Sequence, residues 1–326
     1  MKIKTVICGF GFMGQTHCAN IMQNENASIA AIVNTSGREN IEPISGNIKT
    51  SAIDWNALNN VPFFTSLADC IDNCDFDAAI IATPTAIHQA MASELLRHKK
   101  HIFLEKPLCA TEAEARQLLE ESDQTNCIFQ AGHCLRFFPE YQYLSSVCSK
   151  KQYGKLKYLK LIRRTGVPVW GAWKNKDTSL KSITGPVFDL NIHDVDFALK
   201  LLGDPEKITA VKEKYSEKLF KACWETSSGT VVELEGGFAE LPTYPFRSGY
   251  TAIFEDAILE YNSQDQGSLI LSDKEKSEPV SLTSQDGYML ETDAFIQSIC
   301  GKKTEHCTVE EAAKAVTVCY QIMDAL

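Results

Sequence analysis

The sequence predicts an α/β chain in which a doubly wound parallel sheet is followed by an α+β domain with a mainly antiparallel sheet. Apolar, β-rich runs alternate with helical patterns through roughly the first 130 residues, the order that βαβ units require. Beyond them, strand-like runs follow one another directly and helices close the chain, as when helices cover one face of an antiparallel sheet. A length of 326 residues agrees with about two domains, drawn at 1–123 and 124–326.

Each element has its own signal. Lys2 to Gly9 reads as a buried strand and His17 to Gln23 as the opening turns of a helix. Ser28 to Asn34 is a second strand and Phe63-Phe64 a short third. Ala78 to Ala82 is fully apolar, Ile87 to His98 is helical, and His101 to Leu104 is the next strand. Thr111 opens a helix to about Glu121 through the capping box Thr111-x-x-Glu114, and Cys127 to Gln130 completes the parallel sheet. Thr35 to Val61 has weak periodicity and is expected to carry little order. In the second domain, Lys155 to Thr165 is strand-like and Ile192 to Leu202 is a helix ended by Gly203 and Pro205. Strands are expected over Lys207 to Tyr215, Leu219 to Thr226, Thr230 to Phe238, Tyr250 to Phe254 and Ala257 to Tyr261. Helices are expected over Tyr288 to Cys300 and Val309 to Met323.

Composition narrows the partners. A net charge of −10 argues against nucleic acid or an anionic membrane surface. Apolar runs such as Ala78 to Ala82 are too short to span a bilayer, and no signal peptide is expected before the first strand. The 12 cysteines include no C-x-x-C pair; Cys70 and Cys74, and Cys300 with His306 and Cys307, lack zinc-type spacing. The reading is a cytoplasmic protein with scattered reduced thiols and no metal.

The first strand runs into Gly9-Phe10-Gly11-Phe12-Met13-Gly14. A strand, G-x-G-x-x-G and then a helix hold a dinucleotide pyrophosphate: Gly9 turns, Gly11 admits the phosphates, and Gly14 lets the helix approach the strand. Three further segments follow strand ends, where ligands of open α/β sheets bind. Ala82-Thr83-Pro84-Thr85-x-x-His88 also reads as a helix start. Glu105-Lys106-Pro107 places a lysine on the same sheet edge as the glycine loop. In Gly132-His133-x-x-Arg136-Phe137, Arg136 suits a phosphate or hydroxyl, or an ion pair. In the second domain, Asp189 and His193 are four apart and share a face if the helix has begun by Asp189, a pairing usable for acid/base chemistry. Taken alone, that spacing better fits a helix-capping cluster with a core histidine.

In order and spacing these segments together resemble the Gfo/Idh/MocA-type oxidoreductases, the group that includes glucose–fructose oxidoreductase and inositol dehydrogenase, over essentially the whole chain. The carriers are G-F-G-x-M-G, A-T-P-T-x-x-H, E-K-P, G-H-x-x-R-F and G-x-x-x-D-x-x-x-H-x-x-D. Gly185-Pro186, where relatives often have paired glycines, is a mild departure. The resemblance implies an N-terminal Rossmann domain and a C-terminal domain with a large open sheet whose face makes homo-oligomer contacts. It implies interconversion of a secondary alcohol and a carbonyl on a sugar, polyol or related small molecule. His193 would be the acid/base, Lys106 would stabilise the substrate oxygen, and Asp189 would orient the substrate or His193. Cofactor contacts would come from Gly9 to Gly14, Ala82, Thr83, Pro84, His88, Glu105 and Lys106.

The acid that reads a ribose should lie about 20 residues past the last glycine, but Asn34 stands there, followed by Thr35, Ser36, Gly37 and Arg38. Hydroxyls and a guanidinium suit a 2′-phosphate, so NADP is expected ahead of NAD. Substrate contacts are expected from Arg136, Arg163, Trp170, Trp173, Asp189 and His193, since aromatic rings stack on sugar faces and arginine holds oxygen ligands. Two alternatives remain open: a non-catalytic nucleotide-binding sensor, and a glycoside-cleaving relative.

Overall fold

The computed structural model describes residues 2–44, 53–169, 173, 175–265 and 268–326. It divides into two units, Met1–Phe138 with Gln285–Ala313, and Pro139–Ser284 with Lys314–Leu326.

The first unit grows outward from β1 (Ile3–Cys8), a β-branched run buried on both faces. It joins β2 (Ala27–Val33), β3 (Phe63–Phe64), β4 (Ala78–Ile81), β5 (His101–Glu105) and β6 (Phe129–Gly132) in the all-parallel order β3-β2-β1-β4-β5-β6. The order reverses at β1, so the crevice beyond the carboxyl ends of β1 and β4 is the topological switch point. Register lines up Ile32, Ile7, Ile80 and Phe103 across four strands. That row packs against Cys18 and Ile21 of α1 (Phe12–Gln23). The other helices of the unit are α2 (Trp55–Leu58), α3 (Leu67–Asn73), α4 (His88–Arg97) and α5 (Glu112–Asp123). The Thr111 capping box forms, with Thr111 and Glu114 exchanging both hydrogen bonds.

The second unit opens with α6 (Pro139–Lys150), which starts on a proline, the residue preorganised for the first helical position. The sequence reading had no helix there. β7 (Leu156–Gly166) is central to an eight-stranded sheet. After α7 (Ile192–Leu202) come β8 (Pro205–Lys212), β9 (Leu219–Thr226), β10 (Val231–Ala239), β11 (Arg247–Phe254), β12 (Ala257–Asn262), β13 (Leu269–Asp273) and β14 (Ser277–Pro279). The order is β14-β13-β12-β11-β7-β10-β9-β8, antiparallel except for β7 with β10. Along β7 the residues Leu159, Leu161, Arg163 and Thr165 are buried, and Tyr158, Lys160, Ile162 and Arg164 alternate with them on the other face. On that second face Glu235 pairs with Lys160 at 2.7 Å and with Arg164 at 2.8 Å. The chain then adds α8 (Gly287–Ile299) to the first unit, where Phe295 and Ile296 join the row of Ile7 and Phe103, and ends in α9 (Val309–Ala325). No helix among the described residues is long and apolar enough to cross a membrane.

Three sequence readings shift. The boundary at 123 falls before β6, which pairs with β5 and so holds the first unit together to Phe138. The first unit also recovers Gln285–Ala313. Helix α1 begins at Phe12 rather than near His17, because Gly11 already serves as its N-cap. Of the stretch read as poorly ordered, residues 45–52 lie outside the described residues, and α2 interrupts the remainder.

Helix α1 approaches β1 so closely that a Cβ on Gly14 would stand well inside contact distance of the Gly9 carbonyl oxygen. Gly14→Ala should therefore destabilise the first unit by about 3 kcal/mol or more, at or above the top of the usual range for overpacking. A lowered thermal midpoint would show it, and an unchanged midpoint would mean that the helix can retreat from the strand.

Candidate active site

The glycine loop sits at the switch point. Gly9 has φ +85°, and a Cβ there would lie 2.6 Å from the Ala82 carbonyl oxygen, so loop and Ala82-Thr83 are neighbours. At Gly11 a Cβ would meet nothing within 4 Å. No side chain caps α1 and no acid lies in its first turn, which leaves its partial positive charge to an anion. These features fit a pyrophosphate. Phe12 and Met13, half-buried, supply that first turn. Phe10 does not serve as expected: its ring is buried against Trp55, and its N–H donates to Asn34 Oδ1 at 3.2 Å.

Asn34 also donates to Ser36 Oγ at 2.6 Å, so its amide is committed to shaping this turn. Thr35 and Ser36 are exposed. Arg38 donates to the carbonyls of Leu58 (3.0 Å) and Val61, and lies over the Phe63 ring. Its position is thus fixed by backbone acceptors. The next residue, Glu39, accepts from Asn40 Nδ2 at 3.2 Å.

Lys106 follows β5 at the same edge of the sheet and is half-buried; the peptide to Pro107 is cis. Its neighbours are fastened inside the fold. Glu105 is 7% exposed, and its Oε1 lies 2.7 Å from His17 Nε2 while its Oε2 accepts from the Lys106 N–H at 3.2 Å. Burial pushes the Glu105 carboxyl up, but the His17 hydrogen bond and charge, with Lys106, together hold it below its usual value. His88 is 1% exposed, with Nε2 2.8 Å from Thr83 O and Nδ1 2.9 Å from Pro107 O. Burial pulls its pKa down, although both carbonyls favour the imidazolium. Glu105 and His88 therefore brace the loop ends from within and do not offer side chains to a cofactor. Ala82 and Thr83 are half-buried and Pro84 is exposed at the strand end, as expected for a cofactor edge.

Arg136 is 3% exposed and donates to Glu311 Oε2 at 3.0 Å, so it is an internal ion pair of the first unit rather than a substrate ligand.

In the second unit, Val187–Asn191 form a π-helical turn that leads into α7. Between Gly185 and Ala198 every residue is buried except Asp189 and His193, which places both on the one accessible face of this segment. Wide turns of this kind recur at functional sites. The turn is clamped beneath. Arg163 donates from Nε to Asp194 Oδ2 at 2.9 Å and from Nη2 to Oδ1 at 3.1 Å, and Asn191 Nδ2 donates to Oδ2 at 3.3 Å. Arg163, expected to touch substrate, is thus a buried strut from β7 to α7. Trp173 is half-buried against Phe238 and Lys176. Trp170 lies outside the described residues. Sequence reasoning missed His17, Asn20 and Thr292. The available signal was a run of polar residues, Gln15 to His17 and Asn20, on a helix that has to pack against a sheet.

Residues 3–133 match the family described as an oxidoreductase family with an NAD-binding Rossmann fold. The chain is 27% identical over 211 residues to scyllo-inositol 2-dehydrogenase (NAD(+)) of Bacillus subtilis, covering 64% of this chain and 56% of that protein. It is 26% identical over 211 residues to 2,7-anhydro-N-acetylneuraminate hydratase of Escherichia coli, covering 63% and 51%. These matches span only about half the length of the relatives. The fold is similar to that of UDP-N-acetylglucosamine 3-dehydrogenase GnnA from Acidithiobacillus ferrooxidans, with a TM-score of 0.81, 20% identity, and coverage of 100% and 98%.

Two outcomes are expected. Asp194→Ala leaves the Arg163 guanidinium buried without its partner and should cost about 3–5 kcal/mol in urea unfolding. The apolar double variant Arg163→Met/Asp194→Leu should recover most of that loss, and equal loss in both would refute the strut. Glu105, with its folded pKa below the usual 4.5, adds stability that is present above that value and is lost as pH falls through the folded value. Glu105→Gln should flatten this acid limb in thermal midpoints measured from pH 7 downward.

Proposed function

We propose that the chain, whose residues 3–133 match an NAD-binding oxidoreductase family, is a Gfo/Idh/MocA-type oxidoreductase that interconverts a secondary alcohol and a carbonyl on a sugar, polyol or related small molecule. The observation that carries the reading is the accessible Asp189–His193 pair on an otherwise buried segment, together with Lys106 at the dinucleotide edge of the first unit. A bound nicotinamide would supply the hydride acceptor at its C4. Gly11 and the first turn of α1 would hold the pyrophosphate. His193 would take the hydroxyl proton, acting as acid in the reverse direction. Lys106 would hydrogen-bond the same oxygen and stabilise its developing negative charge. Asp189 would orient His193 or the substrate.

NADP is the proposed cofactor ahead of NAD. Ser36 offers a hydroxyl and Arg38 a guanidinium fixed by carbonyls, and Asn34 replaces the acid that would repel a 2′-phosphate. The sheet face bearing Lys160, Arg164 and Glu235 is the proposed contact between copies of the chain. Similarity to a hydratase favours a second reading, net addition or loss of water, in which no reduced nicotinamide accumulates.

Absorbance of reduced nicotinamide, followed across sugars, inositols and sugar acids with both cofactors, separates these readings. With a confirmed substrate, His193→Ala should lower kcat by about 10²–10⁴-fold and Lys106→Ala by about 10²–10³-fold. Wild-type turnover in either variant would remove that residue from the mechanism. Gly11→Ala should leave the thermal midpoint unchanged yet weaken NADP binding, and Arg38→Ala should weaken NADP by about tenfold with NAD unaffected.

A further inference from the structure

His17 is wholly buried, in the second turn of α1, and all its polar contacts lie within the first unit. Nδ1 is 3.1 Å from Thr292 Oγ1 and Nε2 is 2.7 Å from Glu105 Oε1. The Thr292 hydroxyl has one hydrogen, and it is donated to the Tyr288 carbonyl at 2.8 Å. Thr292 Oγ1 therefore only accepts, from Asn20 Nδ2 at 3.3 Å and from His17. Nδ1 must carry a proton. The opposite contact is a carboxylate, which also only accepts, so Nε2 carries one too. The Phe103 ring, 4.7 Å away between centroids, closes the apolar side.

We propose that His17 is a buried imidazolium that acts as a positioning residue for Lys106, fixing the Glu105 carboxylate whose second oxygen holds the Lys106 N–H. The proposal rests on the reading of Lys106 as the group at the reacting oxygen. The structural logic is a link of three elements. Helix α1 begins at the glycine loop and carries His17; β5 ends in Glu105 and delivers Lys106; α8 contributes Thr292. A dinucleotide that settles on the start of α1 thus bears on the same helix that anchors the lysine. On the far side of Lys106, His88 holds the Pro107 carbonyl, so the turn is fastened at both ends.

The charge pattern gives a test that needs no substrate. Glu105 faces His17 on one side and Lys106 on the other, and both help hold its carboxyl below the usual value. In Glu105→Gln the Lys106 N–H loses the charged oxygen that accepts from it. In His17→Gln, which keeps a donor toward Glu105, the carboxylate is left with Lys106 as its only cationic neighbour of the two. Acetic anhydride labelling at pH 7.5, read at Lys106 by mass spectrometry, should therefore speed up in both variants as the turn loosens, and more in Glu105→Gln. Each change should be several-fold, with other lysines unchanged. An unchanged rate at Lys106 in both variants overturns the proposal. Histidine ¹⁵N spectra of the unaltered protein provide a second arm that no folding defect can spoil: His17 should show two protonated nitrogens at pH 7.5. A neutral pattern there refutes the ion pair. Failure of NADP to protect wild-type Lys106 from labelling would count against the functional reading alone.

Discussion

The first unit depends on a contact made without side chains. Where α1 crosses the end of β1, Gly14 lies against the backbone of Gly9, and Gly9 in turn lies against Ala82. Any larger residue would push the helix off the sheet. Because the helix is seated that low, its first N–H groups point into the switch point of the sheet, and a turn later His17 reaches the end of β5. The row of Ile7, Ile32, Ile80 and Phe103 lies in the core, at roughly 1.5–3 kcal/mol for each fully buried side chain. That apolar row would accept many helix positions. The glycines select the one at which dinucleotide loop, Glu105 and Lys106 come into register.

The second unit solves the same problem by the opposite means. Here a charged pair, not a bare backbone, fixes the segment that carries Asp189 and His193. Arg163 on β7 grips Asp194 bidentately, and Asn191 sits so close to β10 that Gly236 leaves no room for a Cβ. Burial raises the Asp194 pKa even with Arg163 opposing it, so the desolvation of this carboxyl is not fully offset. Such pairs add little net stability. What the pair does add is direction: it holds one turn so that two residues in a buried run face outward.

Much of the fold was legible because period and punctuation are local. The limits of α7 and β9 were read to the residue, and the Thr111 capping box was visible as a four-residue pattern. Helix α6 was missed because its apolar spacing is diluted by Glu140, Gln142 and three serines, leaving Pro139 as the main signal. The candidate site divides along a physical line. Glycines and strand-end positions were legible because backbone geometry dictates them. Polar side chains were not, because a residue type says what a group can bond and never which partner it finds. Arg136, Arg163, Glu105 and His88 are all suited to a ligand, and each is committed to a partner distant in sequence.

That pattern bears on how substrate choice is built in this chain. A buried arginine or histidine near a site has to be hydrogen-bonded whether or not a ligand is present, since leaving it unpaired costs more than the pairing returns. Groups that meet this demand internally cannot also discriminate among alcohols. Asp189, His193 and Lys106 are only half-buried, so each keeps some contact with solvent. In the proposed mechanism these three act on one oxygen and its hydrogen, which every secondary alcohol offers. On that reading, the identity of the alcohol would be set by side chains that stay partly solvated until a ligand arrives. Burial does not single such residues out, and neither does charge, which is why the chemistry can be read from this chain more readily than the molecule it acts upon.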